Sequence, residues 1–74
     1  MVEIKIKNNL EKKLDELQKN TGIMKTFMAK ELGMTPQRLY HLCKASNVQL
    51  DTAYKFSVYL NCSVTEIFEY EVIR

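Results

Sequence analysis

Residues 22–42 read GIMKTFMAKELGMTPQRLYHL and contain two short helical patterns joined by one glycine. Gly33 suits the left-handed backbone past a helix end, a conformation that costs a residue with a Cβ atom about 1–2 kcal/mol. Two helices fit into this stretch only if they cross closely, and the small Ala29 is expected at the crossing. The apolar residues that recur on the inner faces are Met28, Ala29, Leu32, Leu39 and Leu42.

The second helix of the pair is expected to begin sharply at Pro36. Thr35 is a good N-cap, and proline is favoured at the first helical position. Met34 is expected to lie between the two helices. This spacing is that of a helix-turn-helix, a motif that reads nucleic acid. The alternative is an ordinary helical hairpin in a small α-domain.

The face left outward on the second helix carries hydrogen-bond donors and no acidic residue. A helix that presents Gln37 and Arg38 near its N-terminus is suited to the major groove, because glutamine can pair bidentately with adenine and arginine with guanine. The alternative is a solvated helix face without a partner. The outward residues are Gln37, Arg38, Tyr40, His41 and Lys44.

The length and composition favour a single domain over residues 1–74, with its core over 8–70. No apolar run approaches the roughly 20 residues of a membrane span, and the first residues lack the apolar core of a signal peptide. We therefore expect a cytoplasmic protein with no membrane partner. A chain of this size also has no room for a deep substrate pocket, so no small-molecule substrate is expected.

The cysteines and the histidine do not form a metal-binding pattern. Cys43, Cys62 and His41 are too few and too widely spaced for a zinc site. No glycine-rich phosphate loop and no separated catalytic set is present. The sequence thus predicts no metal, no cofactor and no enzymatic activity, and it predicts two reduced thiols with Cys62 packed inside.

The charge is unevenly distributed along the chain. Residues 1–47 hold nine Lys or Arg and five Asp or Glu, whereas residues 48–74 hold two and four. The basic half contains the helix-turn-helix pattern, as expected if phosphates are the partner. Charge alone is a weak indication, because many solvated helices are rich in lysine.

Three further helices are predicted around the pair. The first covers about 8–20, with Asn8 and Glu11 as a capping box, and the fifth opens at a second capping box of Ser63 and Glu66. The fourth covers 50–60. The residues predicted to face inward on the first and fourth helices are Leu10, Leu14, Leu17, Leu50, Ala53, Phe56, Ser57 and Leu60.

The two ends of the chain show strand patterns. Apolar and charged residues alternate over 2–7, which predicts a short strand with one wet face. The tail over 69–73 either pairs with this strand, placing its carboxylates against Lys5 and Lys7, or is a frayed end. The predicted fold class is therefore all-α with five helices, to which a two-stranded ribbon of the termini is added if the ends pair.

Taken together, these marks resemble the helix-turn-helix domain of the lambda-repressor and Cro type over residues 8–70. The last matching segment resembles a compact bacterial and phage subgroup of that family. The resemblance implies a five-helix domain that places its third helix in the major groove and acts as a dimer on an operator with two half-sites. The matching marks are Gly22-Ile23, Met28-Ala29, Leu32-Gly33-Met34-Thr35, Leu39, Leu42, Leu50-Asp51-Thr52-Ala53, Leu60-Asn61-Cys62-Ser63 and Ile67-Phe68-Glu69-Tyr70.

The resemblance also implies roles for individual residues. Thr35 and Lys44 fall near phosphate contacts, and Lys25 replaces by point charge a phosphate contact that the family usually makes with a capped glutamine. Pro36 stands where family members often place a base-reading polar residue, so it only presets the backbone and offers an apolar ring. The residues at base-contacting positions are Gln37, Arg38, Tyr40 and His41.

Three apolar residues map to family positions that usually face solvent. They are Phe27, Tyr54 and Val58, and the last two lie four apart on one helix face. Two readings are open, a dimer or partner surface and local packing of a small core.

Two functional hypotheses follow. The first is a sequence-specific, double-stranded DNA-binding transcriptional regulator, a repressor or Cro-like switch protein of a phage or mobile element, which forms a weak homodimer on DNA. The second is a protein-binding module of the same fold that acts as an antirepressor or antitoxin-like partner. Binding to single strands or RNA is less favoured, because Tyr40 is the only evident aromatic stacking residue.

Overall fold

The computed structural model describes residues 1–73. In this part of the chain it forms five helices and two strands. None of these helices is long and apolar enough to cross a membrane. In chain order the elements are β1 (Glu3–Asn8), α1 (Leu10–Thr21), α2 (Lys25–Glu31), α3 (Pro36–Cys43), α4 (Leu50–Leu60), α5 (Val64–Ile67) and β2 (Phe68–Ile73).

The core lies where the five helices each turn one apolar face inward. Burial of these side chains removes apolar surface from water, which is the main favourable contribution to folding. Leu17 and Met34 are partly buried against the same cluster. The fully buried residues, which come from every helix, are Leu10, Leu14, Met28, Ala29, Leu39, Phe56 and Ile67.

The turn between α2 and α3 has the predicted geometry. Gly33 has a φ of +73°, and its N–H donates to Lys30 O at 3.1 Å. The Met34 N–H donates to Ala29 O at 2.9 Å, so α2 ends in a Schellman motif. The Thr35 hydroxyl accepts a hydrogen bond from the Arg38 N–H at 3.2 Å, which caps α3. Both the glycine stop and the Thr35 cap are confirmed.

The capping box predicted for α1 is wrong. Asn8 is the last residue of β1, where it pairs with Phe68, and α1 begins only at Leu10. The Asn8 Oδ1 accepts from the Leu10 N–H at 2.9 Å, while the carboxylate of Glu11 lies 3.6 Å from Lys44 Nζ. The strand extends to Asn8 because its partner strand does, and this moves the helix start along the chain.

The second half follows the predicted helix bounds with one error in burial. The helix α4 covers the predicted residues, and the capping box at the start of α5 is confirmed, with the Ser63 N–H donating to Glu66 Oε2 at 3.2 Å. Leu50 was predicted to face inward but is 70% exposed. As the first residue of α4 it lies beyond the edge of the core, which Ala53 and Phe56 reach instead.

The predicted all-α class is wrong, because the two ends of the chain form a two-stranded antiparallel sheet. The fold is therefore mixed, with five helices and a ribbon. Lys5 lies opposite Glu71 in this ribbon, and Lys7 Nζ lies 3.8 Å from the carboxylate of Glu69. The tail is thus paired rather than frayed.

Substitutions at the turn test the packing of α2 against α3. Ala29→Leu adds volume at a fully buried crossing, and Gly33→Val places a β-branched residue at positive φ. Each should cost more than about 1 kcal/mol, or roughly 4–8 °C in the melting temperature of a domain this size. Thermal unfolding followed by circular dichroism measures this. Thr26→Leu, at an exposed position of α2, is the control and should melt near wild type. Wild-type melting of both test variants would contradict the assigned turn.

Candidate nucleic-acid interface

The outward face of α3 carries the four residues predicted to contact bases. Gln37, Arg38 and His41 are exposed, and Tyr40 is 53% exposed. On the opposite face of the same helix, Leu39, Leu42 and Cys43 are buried. The structure therefore brings the predicted base-contacting residues together on one solvent-facing surface of α3.

The two lysines predicted to contact phosphate are both ion-paired with carboxylates of α1. Lys25, at the start of α2, pairs with Asp15, and its side chain is only 20% exposed. Lys44, just after α3, pairs with Glu11 at 3.6 Å in an exposed position. The hydrogen bond to Asp15 raises the pKa of Lys25 above its ordinary value of 10.5. Lys25 is thus a charged residue that already has a counterion.

The carboxylates of Glu11 and Asp15 are site residues that the sequence analysis missed. They lie four apart on α1, and residues at this spacing share a helix face. That spacing was the available signal, but the prediction assigned Glu11 to a cap instead. Their basic partners belong to α2 and to the residue after α3, so only the packing of α1 reveals the pairing.

Arg38 differs from the two lysines. Within residues 1–73 no ion pair involves its guanidinium group, and the side chain is exposed. The neighbouring Thr35 uses an oxygen lone pair as the cap of α3, so its hydroxyl proton remains available to a phosphate oxygen. The start of α3 thus combines an uncompensated cation with a free hydroxyl donor.

The carboxyl end of α3 is held by Asn8. Its Nδ2 donates to Leu42 O at 2.8 Å and to Ala45 O at 2.9 Å. Leu42 lies in the last turn of α3 and Ala45 just beyond it, where carbonyl groups lack the usual helical donor four residues on. The Leu42 carbonyl also accepts from the Ala45 N–H at 3.3 Å. A side chain at the end of β1 therefore fixes the end of the candidate reading helix, a role that the sequence pattern did not indicate.

The cysteines are free thiols in different surroundings. Cys43 is buried beneath α3, and burial raises its pKa to about 11. It is therefore neutral at ordinary pH and packs as a small apolar residue. Cys62 is only partly buried, although it packs against the core as expected.

Phe27, Tyr54 and Val58 are all at the surface. They are 51%, 57% and 80% exposed, so they do not belong to the core. The nearby Tyr59 is instead tied to α2, because its hydroxyl donates to Glu31 Oε1 at 2.6 Å. Burial and this hydrogen bond raise the pKa of Tyr59 to about 12. The tyrosine therefore remains a donor at ordinary pH.

A family model described as the Cro/C1-type HTH DNA-binding domain matches residues 13–72. The match begins within α1 and includes α2, the turn at Gly33 and the whole of α3. No curated protein and no solved structure matches the chain significantly. The order of elements, the geometry of the turn and the extent of the match agree with the resemblance seen in the sequence. The chain belongs to the Cro/C1-type HTH DNA-binding domain family.

Proposed function

We propose that this protein is a sequence-specific transcriptional regulator, a repressor or Cro-like switch protein, that reads the major groove of DNA with α3. The observation that carries the proposal is the exposed donor face of α3. It bears no carboxylate, and the Gly33 turn and the Thr35 cap define where α3 begins. Family membership supports DNA as the partner and regulation as the broad role.

The first turn of α3 supplies the base readers. A major groove about 12 Å wide admits one helix, and the residues near the N-terminus of that helix reach deepest. Gln37 and Arg38 stand there, immediately after Pro36. Tyr40 and His41 follow one turn later and contact the flanking base edges or the backbone.

The phosphate contacts come from Thr35, Lys25 and Lys44. Each lysine exchanges its α1 carboxylate for a phosphate oxygen as DNA binds, so the ion pairs with Asp15 and Glu11 position the ammonium groups before contact. The carboxylates also oppose binding, because they remain near the phosphates. Measuring DNA affinity after removal of one carboxylate shows whether positioning of the lysine or repulsion of the phosphate is the larger effect.

The second candidate is a protein-binding module, an antirepressor or antitoxin-like partner. The exposure of Phe27, Tyr54 and Val58 favours it, since large apolar side chains at the surface contribute to interfaces. A homodimer surface is the other function that the sequence suggested for these three residues. Binding to DNA without any second protein separates the two functions.

Alanine substitutions separate base readers from phosphate contacts. Gln37→Ala and Arg38→Ala should each weaken specific binding by about 1–3 kcal/mol and affect non-specific binding less. Lys44→Ala should weaken both and lower the salt slope. Fluorescence anisotropy on the DNA flanking the gene itself and on a scrambled duplex measures these effects. Unchanged operator affinity in both reader variants, with an intact fold, would mean that α3 is not the reading helix.

The salt dependence of the wild type tests DNA binding itself. The affinity for DNA should fall as salt rises, by about 0.9 log units per log unit of salt for each phosphate contact. Titrations at several salt concentrations give the slope on the flanking duplex and on the scrambled one. If neither duplex binds at low salt, the DNA-binding proposal fails and the protein-partner function takes its place.

Asp15→Asn tests the exchange of carboxylate for phosphate at Lys25. Removing the carboxylate frees the lysine and removes its repulsion of phosphate, so DNA affinity should rise several-fold, within the roughly 1 kcal/mol of a surface ion pair. Glu16→Gln is the matched control, because it removes the same charge from α1 at a residue outside the described ion pairs. Equal effects of the two changes would show that Asp15 acts only through net charge.

A further inference from the structure

The ribbon of β1 and β2 has one apolar face and one charged face. Ile4 lies opposite Val72, and Ile6 lies opposite Tyr70, so these four residues share one face. The pairs Lys5 with Glu71 and Lys7 with Glu69 lie on the other face. The strand prediction gave the apolar side as the inner one, but the structure leaves that side largely open.

The open apolar face is large for a chain of this size. Ile4 is 53% exposed, Ile6 38%, Tyr70 62% and Val72 49%. Leu50, at 70% exposure, lies on the same side, because it lines a groove together with Ile4 and Tyr70. Together these five residues expose roughly 600 Å² per copy, against the ~800 Å² that each partner contributes to a standard interface. We call this set the ribbon face.

The ribbon face continues into a groove at the base of the ribbon. This groove has a volume of about 290 Å³, and Val48, Ala53 and Val64 form part of its walls. Leu50 also lines the groove while it is 70% exposed, so an exposed apolar side chain stands beside an apolar recess. In a two-fold symmetric pair each copy would offer the same side chain and the same recess to the other.

The apolar face of the ribbon is expected to pack against another layer. A two-stranded ribbon is marginally stable in water unless its apolar face packs against another layer. The helices cover only its base, where Phe68 packs against the core and Asn8 bonds to the end of α3. The molecule is accordingly elongated, with extents of 43 × 22 × 18 Å. The outer part of the ribbon face is the part without a layer above it.

We propose that the ribbon face is the surface through which two copies of this chain associate. The face carries no charged residue, so it attracts no phosphate and sets no like charges against each other in a self-complementary pair. Two such faces together bury at most roughly 1,200 Å², which is the lower end of the range for specific interfaces. The inference rests on the proposed function, since a dimer presents two reading helices to two half-sites.

Adjacent residues of β2 provide a matched test. Val72→Lys places a charge on the ribbon face, whereas Ile73→Lys places the same charge on the opposite face at a similar exposure of 42%. Sedimentation without DNA, from micromolar to millimolar protein, should show a wild-type dimer. Val72→Lys should raise the dissociation constant by more than about tenfold, and Ile73→Lys should leave it within about twofold.

Hydrogen exchange on the wild type provides a second measurement that needs no variant. Raising the protein concentration should increase amide protection in 4–6 and 70–72 and leave protection in α2 unchanged. A wild type that stays monomeric at every concentration, or one whose association is lost in Tyr54→Lys but kept in Val72→Lys, would overturn the inference. Binding of a half-site duplex, measured on the same samples, tells this failure from a failure of the proposed function. If the protein is monomeric and still binds the half-site duplex, the proposed DNA-binding function stands and only the proposed dimer interface fails.

Discussion

The left-handed backbone at Gly33 sets the angle between α2 and α3, and the candidate interface depends on that angle. The positive φ of Gly33 lets the chain reverse so tightly that the Met34 N–H reaches Ala29 O. Ala29, fully buried, lets the helices approach closely enough for Leu39 to enter the core. Once Leu39 is inside, the helical period forces Gln37, Arg38 and His41 outward. The exposed donor face of α3 is thus set by the geometry at Gly33 and Ala29.

The electrostatics of the interface are not those of a simple basic patch. The carboxylates of α1 hold Lys25 and Lys44 in place and leave Arg38 as the uncompensated cation at the start of α3. An ion pair fixes a flexible lysine near the position where a phosphate would lie, but it also cancels part of the attraction that brings DNA to the surface. The charge excess counted along the first half of the sequence therefore overstates the positive potential near α3.

The features that the sequence predicted correctly are those that depend on residues close together in the chain. The Gly33 stop, the Thr35 cap and the bounds of α4 depend on neighbouring residues, so they can be read from spacing. The errors concern how parts of the fold are arranged in space, which local spacing does not show. Asn8 was assigned to a helix cap because its pairing with Phe68 is invisible locally, and Leu50 was placed inside because periodicity does not show where the core ends.

The candidate site likewise contains some features that the sequence predicted and others that it could not predict. The exposed donors of α3 followed from the position of its apolar stripe, and the structure shows them exposed. The pairing of Asp15 with Lys25 could not be predicted, since it requires the packing direction of α1 against α2. The ribbon face was equally hidden, because alternation in β1 indicates an apolar side without showing whether anything covers it.

The pairing of the two ends of the chain also has a kinetic meaning. The pairing of Glu3 with Ile73 closes a loop that contains nearly the whole chain, so it is far less local than the contacts within the helices. We therefore expect the helices, whose contacts are more local, to form before the ribbon closes. We also expect the ribbon to open more readily than the helical core, because its outer residues are exposed. An opening that reaches Asn8 would break its hydrogen bonds to Leu42 O and Ala45 O, so the end of α3 is coupled to the closure of the ribbon.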